Sequence, residues 1–248
     1  MLKVFKNEIY KTITVGRVIA YIMALALIIA VTGIIIKTKI LDLSSVGAYI
    51  EYMKYNLTFV LIKPLVPILM IIFSASLIAE DYSSGVMKFF LISKLDKKNI
   101  ILGKILYLIT FTLVNMIIIF FLFSIIGGVL IGNYDGIMSA EYFKVMGAYM
   151  TTALGMLPIV LLTAAISLIV DSFQQSIGIS IGILLISLMA DSIMVGIKGI
   201  TPTSFITYGY MVVSNMNYKL ISIALLLGYI LILGASNLII FNGKDMLL

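Results

Sequence analysis

A chain of 248 residues without a single His or Cys lacks the side chains that most often serve as general base, thiolate nucleophile or zinc ligand. What remains able to do chemistry is 17 Lys and Arg against 11 Asp and Glu, a net charge of +6. Two acids, Asp171 and Asp191, stand at the ends of apolar stretches, too far apart to form the catalytic carboxylate pair of an intramembrane protease. Gly103-Lys104-Ile105 and Gly243-Lys244-Asp245 both fail the G-x-x-x-x-G-K-[ST] pattern, so the chain does not cradle ATP phosphates itself. No series of acids crosses an apolar segment, which argues against a proton- or sodium-coupled carrier. An enzyme is not expected. Nor is a nucleic-acid binder, because loops facing anionic headgroups account for the excess Lys.

The ionisable residues concentrate in one stretch, from Glu80, Asp81 and Tyr82 to Lys104. Ser83-Ser84-Gly85 should break a preceding helix. Val86 to Ile92, with Lys88, Phe89 and Phe90, has the length of a short apolar helix lying crosswise, and Asp96 can cap the helix that Lys97 and Lys98 open. Such a ridge, framed by charges, fits a groove on a partner. An inside loop that merely collects Lys explains the spacing equally well.

The elements that must position this loop are membrane helices. With 62% hydrophobic and 11% charged residues and a mean hydropathy of +1.20, the composition lies far from that of soluble chains. Six segments are long enough to cross a core of about 30 Å: Val18 to Ile36, Leu57 to Ala79, Leu106 to Ile131, Val145 to Val170, Ile177 to Val195 and Leu220 to Phe241. The expected fold is an all-α polytopic membrane protein, one transmembrane domain over residues 1–248. Lys3, Lys6, Lys11 and Arg17 precede the first span, and Lys88, Lys94, Lys97, Lys98 and Lys104 share the 80–104 loop, which places both termini in the cytoplasm.

Within residues 1–17, Leu2, Phe5, Ile9 and Ile13 share one helical face, and Lys3, Asn7 and Lys11 another. That pattern describes a helix lying at the membrane surface, with Lys6 among its cations, or a basic tail that only sets topology. Pro158 should kink the fourth span. Gly128 with Gly132, and Gly178 with Gly182, permit close helix approach within the bundle. Asp171 lies in a tight turn beside Ser172, and Asp191 either pairs with Lys198 or snorkels.

The stretch Glu80, Gly85, Val86 to Ile92, Lys97 and Lys104 resembles, in order and spacing, the cytoplasmic connection of permease subunits of type-2 ABC exporters. Val86, Lys94 and Lys97 depart from the Thr, Pro and Arg common in that family. The change at Lys97 matters most, because lysine lacks the bidentate fork of arginine. The resemblance implies that 80–104 is a coupling loop whose crosswise helix contacts a separate ABC ATPase, with Asp171 a second, smaller contact. It implies re-entrant extracellular helices over 196–218, two ATPase copies holding ATP and Mg, and a second copy of this chain. No cofactor is expected on the chain itself.

Apolar spans with fifteen Met suit an amphipathic peptide or lipid-like cargo, so the expected function is export of such compounds from a bacterium across its plasma membrane. The alternative is a substrate-capturing membrane subunit of a vitamin-type importer, which requires a dense polar pocket near the outer face.

Overall fold

The computed structural model describes residues 1–14, 17–39, 47–58, 65–83, 85, 96–132, 136–170, 172–193, 200–207 and 220–243. Among them there is no strand. Eight α-helices run in the order α1 (Leu2–Thr14), α2 (Arg17–Lys39), α3 (Ala48–Asn56), α4 (Leu65–Ser83), α5 (Lys97–Ile131), α6 (Ala140–Ile169), α7 (Phe173–Ile193) and α8 (Leu220–Gly243), with a 3-10 turn at Ser204–Thr207. Five helices, α4 to α8, are long and apolar enough to cross a membrane; α2 contributes the shorter apolar stretch Tyr21–Ile35. The chain is a multi-pass membrane protein by helix length and composition.

Helix boundaries follow local chemistry. Ser139 caps α6, its hydroxyl accepting the Tyr142 N–H at 3.2 Å, and Glu141 adds an acid to the first turn. Gly132 ends α5 in the left-handed region at φ 73°, with its N–H donating to the Gly128 carbonyl. Gly132 is therefore a helix terminator, and added Cβ atoms at Gly178 and Gly182 would meet nothing. Gly128 is buried, and close approaches fall on Gly33, Gly103, Gly127 and Gly155.

α6 is the hub, in contact with α3, α4, α5, α7, α8 and the 3-10 turn. It continues through Pro158, and polar side chains of its neighbours bond its carbonyls just beyond: Ser74 of α4 donates to the Val160 carbonyl at 3.0 Å, and Asn237 of α8 to that of Leu161 at 3.0 Å. At Gly155 the 3-10 turn comes so near that an added Cβ would lie 2.1 Å from the Phe205 carbonyl oxygen.

The second apolar segment is described as helix from Leu65 to Ser83, past its expected end at Ala79; the mostly buried α3 lies upstream, and residues 59–64 lie outside the described residues. Tyr52 of α3 wedges between α2 and α5 at Gly33 and Gly127, where added Cβ atoms would meet its ring and hydroxyl at 2.6 Å. The hydrophobic sum that predicts a span beginning at Leu57 does not distinguish a buried plug from a crossing helix. α5 likewise begins at Lys97 and reaches 35 residues.

One chemical change made at two kinds of glycine tests this packing. Gly155→Ala should cost about 1–3 kcal/mol through overpacking and lower the thermal midpoint of the detergent-purified chain. Gly182→Ala, facing open space, should leave the midpoint unchanged or raise it by the helix-propensity gain of about 0.5–1 kcal/mol.

Candidate functional site

Lys104 is fully buried, and its ammonium donates in three directions: to Glu8 Oε1 at 2.7 Å, to Asp81 Oδ2 at 2.6 Å and to the Leu77 carbonyl at 3.0 Å. An ammonium has three N–H bonds, so every donor is used. Asp81 Oδ1 accepts from Lys11. Two acids and two bases, from α1, α4 and α5, thus form a neutral group that joins the last turn of α4 to the N-terminal part of α5. Each charge is costly to bury alone, and opposite partners at hydrogen-bond distance offset that cost.

Local sequence puts these groups together. Gly103 admits α1, since an added Cβ there would meet Val4 Cβ at 2.7 Å and the Met1 carbonyl at 2.9 Å. The face of α1 that docks carries Val4, Glu8 and Thr12, all buried, with Phe5 edge-on to Tyr107 at 6.2 Å. Thr12 donates back to the Glu8 carbonyl at 2.7 Å. At about 100° per residue α1 has three faces: the docked one; an exposed apolar one of Leu2, Ile9 and Ile13; and an exposed polar one with Lys3, Lys6 and Asn7. Lys11 belongs with the docked face through Asp81, a correction to its grouping with Lys3 that helical angle alone does not reveal.

The remaining expected site residues fall as follows. Glu80 and Tyr82 are half-buried at the end of α4, and Gly85 takes φ 71°, a left-handed conformation that favours glycine. Asp96 stands at the N-cap position of α5 without a side-chain bond to the backbone; its carboxylate accepts the Asn99 side-chain amide at 3.2 Å instead. Asp96, Lys97, Lys98 and Asn99 line, with Leu102 and Asn242, a shallow cavity of about 640 Å³. Val86, Lys88, Phe89, Phe90 and Asp171 lie outside the described residues, as do Lys94 and Lys198. Asp191 is partly buried and accepts the hydroxyls of Thr201 and Thr203, the latter at 2.5 Å, while Ser187 and Thr203 share a bond of 2.6 Å. That pairing ties α7 to the segment carrying the 3-10 turn.

A second polar group lies along the bundle, where Asn115 donates to the Tyr21 hydroxyl at 2.9 Å and both donate to the Met70 sulfur, linking α2, α4 and α5. Among the described residues no cluster of acids could hold a metal ion. Glu8, the acid that completes the site, was missed in the sequence; the signal was its place in the Val4-Glu8-Thr12 stripe, at helical spacing and apart from the lysines.

A family model described as "Protein of unknown function (DUF2705)" matches residues 25–247. That range holds Asp81 and Lys104 and excludes α1. No curated protein matches the chain.

Removing one member of the charge group should cost far more than removing the group. Lys104→Met is expected to lose about 3–5 kcal/mol by leaving Glu8 and Asp81 buried together, read as a lower melting temperature. Glu8→Gln, Asp81→Asn and Lys104→Met combined should recover most of that loss. Gly103→Val should expose α1 to limited proteolysis with the other helices still folded.

Proposed function

We propose that this chain, which belongs to the DUF2705 family, is the membrane-spanning permease subunit of an ATP-driven exporter whose ATPase is a separate polypeptide. The observation that carries the reading is the group formed by the buried Lys104, Glu8 and Asp81 with the partly exposed Lys11. The charged loop springs from two helix ends, Ser83 and Asp96, and this group clamps both to α1. A force on the loop would then move α4 and α5 as one body, which an ATPase that opens and closes requires of its permease.

The resemblance of 80–104 to the coupling connection of type-2 ABC exporters supplies the partner's identity, and the shallow cavity beside Lys97 and Lys98 offers it a place to dock. In this reading α2 is the first of six spans, both termini are cytoplasmic, and α1 lies along the inner headgroups of a bacterial plasma membrane. Its Leu2, Ile9 and Ile13 face lipid. Two copies pair with two ATPase chains that bind ATP and Mg. The segment with the 3-10 turn is re-entrant from the outside, and the cargo is an amphipathic peptide or lipid-like compound, with antimicrobial peptides foremost.

Co-expression with the ATPase encoded nearest to it tests the assignment. The two chains should purify together and show ATPase activity stimulated by an amphipathic peptide. Glu80→Ala and Gly85→Val should each weaken that stimulation about tenfold, roughly 1.4 kcal/mol of coupling, in chains that still insert and fold. A chain that purifies alone, or variants with full stimulation, would sink the proposal.

A further inference from the structure

At the far end of α5 from the charge group lies a second ionisable cluster, on α3. Glu51, Lys54, Tyr55 and Thr58 recur at helical spacing and line one open pocket of about 260 Å³. The opposite face of α3 is buried, with Tyr49 bonded to Ser124 at 2.5 Å and Tyr149 to the Met53 carbonyl at 3.3 Å. The plug is therefore fixed, and its polar face looks out. Glu51 is exposed and its carboxylate has no hydrogen bond or ion pair among the described residues. Lys54 reaches Glu141 at 3.3 Å in an exposed pair, weakly held and free to exchange.

Depth decides what such a pocket meets. Ser124, against which α3 rests, follows Lys104 by twenty residues on one unbroken helix, about 30 Å at 1.5 Å per residue. That is the thickness of a hydrocarbon core of roughly 30 Å, so with the charge group at one boundary the α3 pocket stands at headgroup level of the other. Its volume falls below the roughly 300–1,000 Å³ of sites that enclose drug-sized ligands, so it suits a headgroup rather than a whole amphiphile.

We propose that this pocket binds a phosphoethanolamine-type headgroup, the ammonium on Glu51 beside the aromatic surface of Tyr55 and the phosphate on Lys54. A purely anionic headgroup would meet the Glu51 charge, and a simple amine would leave Lys54 repelling it; a zwitterion satisfies both. The site goes beyond the exporter reading and does not depend on it, because the isolated full-length chain tests it with no ATPase present.

The chain, purified in detergent, is mixed with micelles carrying phosphatidylethanolamine or phosphatidylglycerol, and bound lipid is counted by native mass spectrometry. Wild type should retain phosphatidylethanolamine about tenfold over phosphatidylglycerol, and Glu51→Gln or Lys54→Met should each remove about tenfold of that retention. Glu141→Gln, which releases Lys54, should keep or raise it. Competition by soluble phosphoethanolamine would assign the free headgroup as the source, and retention without competition would assign the lipid; either supports the pocket's chemistry. Equal retention of both lipids by wild type, or full retention in a Glu51→Gln chain with an unchanged melting temperature, overturns the proposal.

Discussion

A fully buried ammonium fixes the architecture of one end of this protein. Lys104 lies on a membrane helix without access to water, and nothing apolar can hold it there. Its three donors demand three acceptors arranged around a point, and these come from two other helices: Glu8 from α1, Asp81 and the Leu77 carbonyl from α4. The fourth member, Lys11, brings the charge to zero. An arginine would not substitute, since its guanidinium spreads its donors over three nitrogens in one plane, whereas the acceptors here converge on a single nitrogen. The docking of α1 beside Gly103 keeps that one charge satisfied.

α5 then acts as a ruler for the rest. Along its 35 residues it passes the charge group at Lys104, the Asn115 amide that meets Tyr21 and Met70, and the hydroxyl of Ser124 shared by Tyr49 and Tyr142. Between these polar stations the contacts are aromatic and aliphatic, with Phe73 stacked on Phe111 at 3.6 Å and Tyr21 against both. Polar groups within lipid are tolerable only when they bond one another, so each station also fixes the relative height of the helices that share it. Hydrophobic burial alone would let these helices slide.

The multi-pass helical class was legible in the sequence because length and hydropathy dominate the choice of solvent. What was not legible is how the pieces divide. The run from Leu57 to Ala79 reads as one crossing, yet Leu57 is the C-cap of the mostly buried α3, since hydropathy cannot tell protein surroundings from lipid. On α1 the lysines and isoleucines announce an amphipathic helix, but the residue that anchors it, Glu8, looks like one more solvated charge until Lys104, 96 residues away, comes into view. Asp191 posed a similar difficulty: its partners among the described residues are the neutral hydroxyls of Thr201 and Thr203, which no charge-pairing rule selects. Among the glycines of the G-x-x-x-G pairs, Gly132, Gly178 and Gly182 face open space and Gly128 is buried, whereas close contacts fall on Gly33, Gly103, Gly127 and Gly155, which no pair motif marks.

The two ends of the molecule solve opposite problems with the same residue types. Around Lys104 the ammonium and its two acids, Glu8 and Asp81, are buried, so separating any of the three leaves an uncompensated charge in an apolar place; such a group moves whole or not at all. Glu51 and Lys54 of α3 and Glu141 of α6 reach solvent and are loosely engaged, and water screens their rearrangement to little cost. The first arrangement suits the transmission of force and the second suits the exchange of partners. Burial alone separates the two, because carboxylate and ammonium groups are common to both.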